Sequence, residues 1–426
     1  MSDFEQRISI DQVRVGLYIR LETWMDHPFM FSSFKIRNEK QLQVLRSLGL
    51  TEVLYVREKS DLPPLPPPPE DKAPEPPPPP DPEIEAMWAA KKERRAKLAD
   101  QREALGRCEK KFTTGMSTVK SVLRNLFSRP AESIAQAQEL VSDIVDSLLE
   151  EKDVVLHLMS AKAGDEGAYY HALNVTMLSL ILGKEANLNP DEMRALGLGT
   201  LLHDMGKEKV PSQILLKKTV WTPAERNFYQ QHVLYGIEMA QKVPEMNAIA
   251  LEVVAMHHEL LDGTGFPGQL KGDRIGRFAR IACIANTFDN YCNRVNIAES
   301  MTPAEAIVHM FRKEKNKYDP DLIQFFVRCM GVYPPGSLVQ LNTGQIGLVV
   351  GVTPGQLLHP TLLIYDAEVP KEEALWLDLS TDRSLSVVKT LRPNELDKAV
   401  YEYLNPRTRV SYYADSSSSG STRQGA

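Results

Sequence analysis

The sequence predicts a multidomain, mainly α protein, in which a helical bundle sits between a small α+β N-terminal domain and a small β module near the C-terminus. Three observations predict it. Helix-start signatures recur between residues 165 and 330. Thr222-Pro-Ala-Glu225 and Thr302-Pro-Ala-Glu305 each offer a hydroxyl at the N-cap, proline in the first turn and glutamate at the third position. Asn189-Pro-Asp-Glu192 repeats the pattern with an asparagine cap. Apolar alternation of period two appears at both ends, in VRVGLYIRLE and again in LVQLNTGQIGLVVGV after Tyr333. Finally, 13 of the chain's 29 prolines lie between Pro63 and Pro82, so the first domain and the rest are separate folding units.

With 426 residues, 42% hydrophobic and 25% charged, the chain has the composition of an ordinary globular protein with room for two or three cores. The formal charge of −6 gives no reason to expect a nucleic-acid polymer as partner. No apolar run approaches the roughly 20 residues that a bilayer requires, so no membrane insertion is expected. MSDFEQRISI lacks the apolar core of a secretory signal. Cys108, Cys283, Cys292 and Cys329 form no CxxC pair, which points to reduced thiols and a cytoplasmic protein.

Taken in order, residues 1–60 read as the α+β domain, with the helical QLQVLRSLGL between strands. Residues 61–82 form a stiff, solvated proline-rich spacer. Residues 83–162 read as a charged helical connector, in which Leu98, Leu105, Phe112 and Met116 recur near a seven-residue period; Gly106 and the Thr-Thr-Gly at 113–115 should interrupt it. Residues 163–330 are the bundle. Residues 331–405 are the β module, with a hairpin at Asn342-Thr-Gly344. Residues 406–426, rich in serine, read as a disordered tail.

Five of the nine histidines (His171, His203, His232, His257 and His258) fall on successive helices of the bundle. A single histidine on an apolar helix face is usually a satisfied core residue. Five in one bundle, with Asp204 directly after His203, point instead to transition metals, which imidazole and carboxylate suit. A carboxylate can bridge two metals, and such a pair serves hydrolysis of phosphate esters.

His203-Asp-Met-Gly-Lys207 and the run HHELLDGTGFPG at 257–268 make the resemblance specific. Over about 165–330 the chain resembles the HD-GYP family, a branch of the HD-superfamily metal-dependent phosphohydrolases. The resemblance implies hydrolysis of cyclic di-GMP to pGpG or GMP by a hydroxide held between two divalent metal ions, iron or manganese. By position it implies His171, His203, Asp204, His232, His257, His258 and Asn286 as metal ligands, with Asp204 bridging. Asp204 and Lys207 would be catalytic. Lys207, Gly263, Gly265, Phe266 and Arg294 would meet the substrate, the glycines by letting the backbone come close. Diguanylate cyclases carrying GGDEF domains would be docking partners, and the charged helices suggest a homodimer. The first 60 residues resemble a small uncharacterised domain that often precedes such modules.

The chain departs from the family pattern in four places. Phe266 replaces tyrosine and keeps the ring. Asn286 replaces the closing aspartate and brings no charge. Gly167 stands where some members carry a glutamate for a third metal, so two metals are expected. Arg294 has no lysine following in register. The last three departures motivate an alternative reading: a catalytically weak module that binds cyclic di-GMP or acts as a docking scaffold.

Overall fold

The computed structural model describes residues 5–21, 27–29, 31–67, 82–150, 154–160, 167–353, 355–367, 369–371, 374–405 and 410–416. The first domain comprises β1 (Glu5–Ser9), β2 (Tyr18–Arg20), β3 (Ser33–Lys35), α1 (Glu39–Ser47) and β4 (Glu52–Val56). Its strands form an antiparallel sheet in the order β1-β4-β2-β3. Asn38 caps α1, which shares a core of Leu42, Val44 and Leu45 with Ile8, Leu17 and Ile19 of the sheet side. Most of the proline spacer lies outside the described residues.

Two long helices follow, α2 (Pro82–Asn125) and α3 (Pro130–Glu150). The break expected at Gly106 and 113–115 does not occur, and α2 runs through both. The hydroxyls of Thr113 and Thr118 bond back to the carbonyls of Glu109 and Thr114 at 2.8 and 3.2 Å, which keeps them inside the helix. An interior glycine costs a helix roughly 0.5–1 kcal/mol. Burial of Phe112, Met116, Val119 and Val122 outweighs that, at about 1.5–3 kcal/mol for each large side chain.

After the strand β5 (Val154–Ser160) comes the bundle: α4 (Gly167–Glu185), α5 (Pro190–Leu202), the short α6 (Ser212–Leu215), α7 (Pro223–Ala240), α8 (Ala248–Met256), α9 (Arg277–Cys292), α10 (Pro303–Val308) and α11 (Pro320–Met330). The predicted caps are present. Asn189, Thr222 and Thr302 each close a reciprocal box with Glu192, Glu225 and Glu305. α4 is buried nearly all round, because α5, α9 and α11 pack against it from different sides.

The C-terminal module contains β6 (Leu338–Leu341), β7 (Ile346–Val352), β8 (Thr361–Ile364), β9 (Trp376–Asp378), β10 (Val387–Leu391), α12 (Lys398–Leu404) and β11 (Val410–Ser416). The hairpin at 342–344 joins β6 to β7, with Gly344 in the left-handed region at φ +92°. Two expectations are corrected here. Residues 83–162 are not helical throughout, since Val154–Ser160 is a strand and carries His157. Residues 406–426 are not all tail, since Val410–Ser416 is a strand. The two pair with each other from Val154↔Ser416 to Ser160↔Val410, and β5 also pairs with β7 at Leu156↔Val352. Each thus finds its ladder partner far away in sequence, which no local pattern announces. The N-terminal domain is stitched to this module by Ser32 N–H donating to Asp366 Oδ2 (3.0 Å) and Gln345 Nε2 donating to the Ser33 carbonyl (3.1 Å).

Candidate metal centre

The site is built where helices begin and end. His171 lies in the second turn of α4; α5 ends at Leu202, placing His203 at its C-cap and Asp204 just beyond. Lys207 follows in the tight turn Met205–Lys209. His232 lies within α7, and α8 delivers His257 at its C-cap with His258 next. Gly206 makes the arrangement possible. A Cβ there would lie 1.9 Å from the His232 carbonyl oxygen and 2.4 Å from Gly236 N, so only glycine lets the His203-Asp204 turn seat directly on α7.

The ring nitrogens show what this arrangement is for. His203 Nδ1 is 2.6 Å from the Thr200 carbonyl, His232 Nδ1 is 2.6 Å from the Tyr229 carbonyl, and His257 Nδ1 is 3.1 Å from that of Val254. A carbonyl can only accept, so each Nδ1 carries the proton and each neutral ring presents a lone pair at Nε2. His171 Nδ1 faces Asp289 Oδ2 at 2.6 Å, and a carboxylate accepts, so this Nδ1 also carries a proton and Nε2 is turned inward. The Nε2 atoms converge on one carboxylate. Those of His171 and His203 are each 3.3 Å from Asp204 Oδ2, while those of His232 and His257 are 3.4 and 3.7 Å from Oδ1. Within each pair the nitrogens approach to 3.2 and 3.4 Å, a repulsive contact between lone pairs unless a proton or cation lies between them.

Two groups of ligand atoms result, His171-His203-Asp204 and Asp204-His232-His257-His258, sharing Asp204. Asp204 Oδ1 and His258 Nε2 are buried without a hydrogen-bond partner, which costs free energy that a bound cation would recover. The residues present therefore fit two divalent ions bridged by Asp204.

Electrostatics agree. Burial pushes His232 down to about 4 and holds His257 and His258 well below the ordinary histidine value, so all three keep a free lone pair at neutral pH. His171 differs: burial pushes it down too, but Asp204 and Asp289 outweigh it and raise it to about 9, so without a cation this ring keeps a second proton at Nε2 at neutral pH, which a bound ion must displace. Asp204 stays far below the usual carboxylate range, because burial is overcome by His203 and Lys207. Lys207 donates to Asp204 Oδ2 and lies 5.4 Å from the Tyr229 ring centre. Burial works against its charge, yet Asp204 holds it above the ordinary lysine value.

HHELLDGTGFPG is closed by residues that sequence reasoning passed over. Buried Glu259 accepts from Gly268 N–H at 2.5 Å and Leu270 N–H at 2.8 Å, pinning the loop. Asp262 accepts from the amide and hydroxyl of Thr264. A Cβ on Gly265 would strike Leu260 N at 2.4 Å and the His258 carbonyl at 2.5 Å, so this glycine serves the loop's contact with its own backbone. Gly263 takes φ +80° beside the Lys271 side chain. Phe266 stacks on His258, ring centres 4.3 Å apart at 21°.

The other two candidates are placed differently. Asn286 is buried on α9, its carboxamide oxygen accepting from Asn290 Nδ2 at 2.7 Å. Asp289, one turn on, reaches the site with no shift of the helix, as the hydrogen-bond partner of His171. Arg294 lies over the Tyr291 ring and 3.8 Å from Glu299. A cleft of about 560 Å³ between the N-terminal sheet and the β module, lined by Tyr18, Phe34 and Gln345 among others, contains none of these histidines.

Family models match three successive stretches of the chain, and the first of them runs past the N-terminal sheet and the proline spacer into the two long helices. A domain of unknown function (DUF3391) matches residues 5–137, an HD domain 132–322, and a KOW domain associated with HD domain 338–399. A cyclic di-GMP phosphodiesterase of Pseudomonas aeruginosa is 29% identical over 364 residues, which span 84% of this chain and 85% of that protein. A cyclic di-GMP phosphodiesterase response regulator of Xanthomonas campestris is 28% identical over 149 residues, 35% of this chain and 39% of that one. A 3′3′-cGAMP-specific phosphodiesterase of Vibrio cholerae is 28% identical over 193 residues, 44% of this chain and 37% of that one. Among solved structures, an HDG"Y"P protein from Bdellovibrio bacteriovorus overlays with a TM-score of 0.42 at 16% identity, covering 76% of this chain and 98% of that one. No helix among the described residues is long and apolar enough to cross a membrane. Three family matches in unbroken order thus show an HD domain over residues 132–322 of this chain, preceded by DUF3391 and followed by a KOW domain of the kind associated with HD domains.

Proposed function

We propose that this protein is a metal-dependent phosphodiesterase that hydrolyses cyclic di-GMP. The observation that carries the reading is the convergence of four Nε2 atoms on the two oxygens of Asp204, with His258 Nε2 and Asp204 Oδ1 buried and unpartnered. Such a donor set suits iron or manganese. When bound, the two ions supply an activated water and neutralise charge on the phosphodiester.

The chain's own residues do the rest. His171 and His203 would hold one ion and His232, His257 and His258 the other, with Asp204 common to both groups. Lys207, kept cationic by Asp204, grips a phosphate oxygen and favours the charge that develops as the ester bond opens. Phe266, rigid against His258, presents an aromatic edge at the rim of the site. Glu259 keeps the GTGFP loop closed over that rim. The nucleotide is the one on which the Pseudomonas relative acts by name, and that match spans most of both chains.

The test is hydrolysis of cyclic di-GMP by purified protein loaded with Mn²⁺ or Fe²⁺ under reducing conditions, with Asp204→Ala as control. Turnover that exceeds the control, with two metals per chain, is expected. Turnover indistinguishable from the control in a metal-replete preparation would overturn the reading.

A further inference from the structure

Three of the four inward-facing histidines are oriented by carbonyls of their own helix, three or four residues back. His171 is different. Its Nδ1 proton goes to Asp289, 118 residues away on α9, and the chain of contacts does not stop there. Asp289 is almost fully buried, and its other oxygen accepts from Asn174 Nδ2 and Asn293 Nδ2, both at 2.8 Å. Each carboxamide spends its second N–H on the Val410 carbonyl, at 3.0 Å from Asn174 and 2.9 Å from Asn293. Their oxygens accept from β11 in return: Asn293 from Val410 N–H at 2.9 Å and Asn174 from Tyr412 N–H at 3.1 Å. Neither amide has an N–H to spare, so turning either one while β11 is docked would break bonds to both Asp289 and the strand.

Resting on the dinuclear reading above, we propose that β11 and the asparagines Asn174 and Asn293 are positioning elements for one half of the site. Docking of the strand sets Asp289, Asp289 sets His171, and the ion held by His171, His203 and Asp204 depends on that docking. The ion held by His232, His257 and His258 does not. Undocking β11 removes four hydrogen bonds from the two amides, which then turn to other partners and release Asp289. Loss of an outer partner of a metal-bound histidine typically weakens metal affinity by about 10–100-fold.

The test compares full-length protein with its Asn174→Ala and Asn293→Ala variants by metal analysis and Mn²⁺ electron paramagnetic resonance. Wild type is expected to hold two ions with a spin-coupled spectrum. The variants, with unchanged far-ultraviolet circular dichroism, are expected to hold one, with the spectrum of isolated Mn²⁺. Variants that keep both ions at wild-type affinity would overturn the proposal. Fewer than two ions in wild type would overturn the dinuclear reading itself, and the proposal with it. Should the variants fail to fold, wild type alone suffices, because coupling is reciprocal. Saturation with Mn²⁺ must slow hydrogen exchange at residues 410–416 by about tenfold or more over the metal-free protein. Unchanged exchange there would refute the link.

Discussion

Gly206→Ala isolates what holds the two halves of the site together. A Cβ at this position would lie 1.9 Å from the His232 carbonyl oxygen, and real Cβ atoms essentially never approach other atoms closer than 3.0 Å, so the turn or α7 must retreat by about 1.1 Å. The obstructing atoms are backbone, and no side chain can rotate away to relieve them. His203 and Asp204 ride on one side of this joint and His232 on the other, so the displacement appears in full between Asp204 Oδ1 and His232 Nε2, now 3.4 Å apart. Misplacement of about 1 Å costs about 100-fold in catalysis. Overpacking of this kind costs about 1–3 kcal/mol, or roughly 2–12 °C of thermal midpoint for a unit of about 150–250 residues such as the helical bundle. The assay is turnover of cyclic di-GMP with saturating Mn²⁺, alongside thermal unfolding and metal content. Gly115→Ala is the control, because its Cβ would find only Leu140 Cδ1 at 3.6 Å and Leu173 Cδ2 at 3.8 Å. It should leave activity unchanged and raise stability by up to about 1 kcal/mol. Wild-type turnover and midpoint in Gly206→Ala would refute the claim that this contact sets the distance between the two ligand groups.

Further outcomes follow from the same geometry. Glu259→Gln leaves one acceptor oxygen for the two loop amides of Gly268 and Leu270, at a cost of about 1–3 kcal/mol; hydrogen exchange at those amides should accelerate while both metals remain, and unchanged protection would count against the pinning role. Chelation should lower the thermal midpoint, and Mn²⁺ at about 100 times its Kd should restore about 2.7 kcal/mol; coincident melting curves would contradict a cation between the facing nitrogens. Asn286→Asp keeps an oxygen for Asn290 Nδ2 and adds a charge, so titration should show tighter Mn²⁺ binding, and unchanged affinity would place this residue outside the ion's reach. All four cysteines are buried, and burial pushes the Cys283 and Cys329 thiols up to about 12. A thiol reagent at pH 8 should find none in the native protein and four in denaturant; rapid native labelling would show that the bundle opens.

Part of the histidine cluster was legible in the sequence because local rules place it. His203 and His257 each end an apolar helix, so their rings are delivered to a helix terminus, and Asp204 follows in the turn that only Gly206 permits. Caps at Asn189, Thr222 and Thr302 could be read for the same reason: each is complete within four residues. What could not be read is what long-range packing decides. VVLHLMS carries no signal that its partner is the strand Val410–Ser416, about 250 residues on. The α2 helix passes through glycines that local propensity would use to end it, because its apolar stripe finds the bundle. Glu259 did carry a signal, as an acid directly after two site histidines, but a buried carboxylate reads as a pin only once the amides it accepts from are known.

The dependence of His171 on β11 also has a definite form, set by strand geometry. Side chains alternate across a strand, so a slip of one residue against β5 would turn fully buried Tyr412 to the opposite face. The same slip would replace the Val410 amide and carbonyl by groups pointing away from Asn174 and Asn293. No slip by one residue satisfies both the core and the two asparagines. The strand is therefore either docked, with every acceptor of Asp289 filled, or undocked, with the carboxylate free to turn. His203, His232 and His257 have no such alternative, because the carbonyls that orient them are lost only if their own helices unwind.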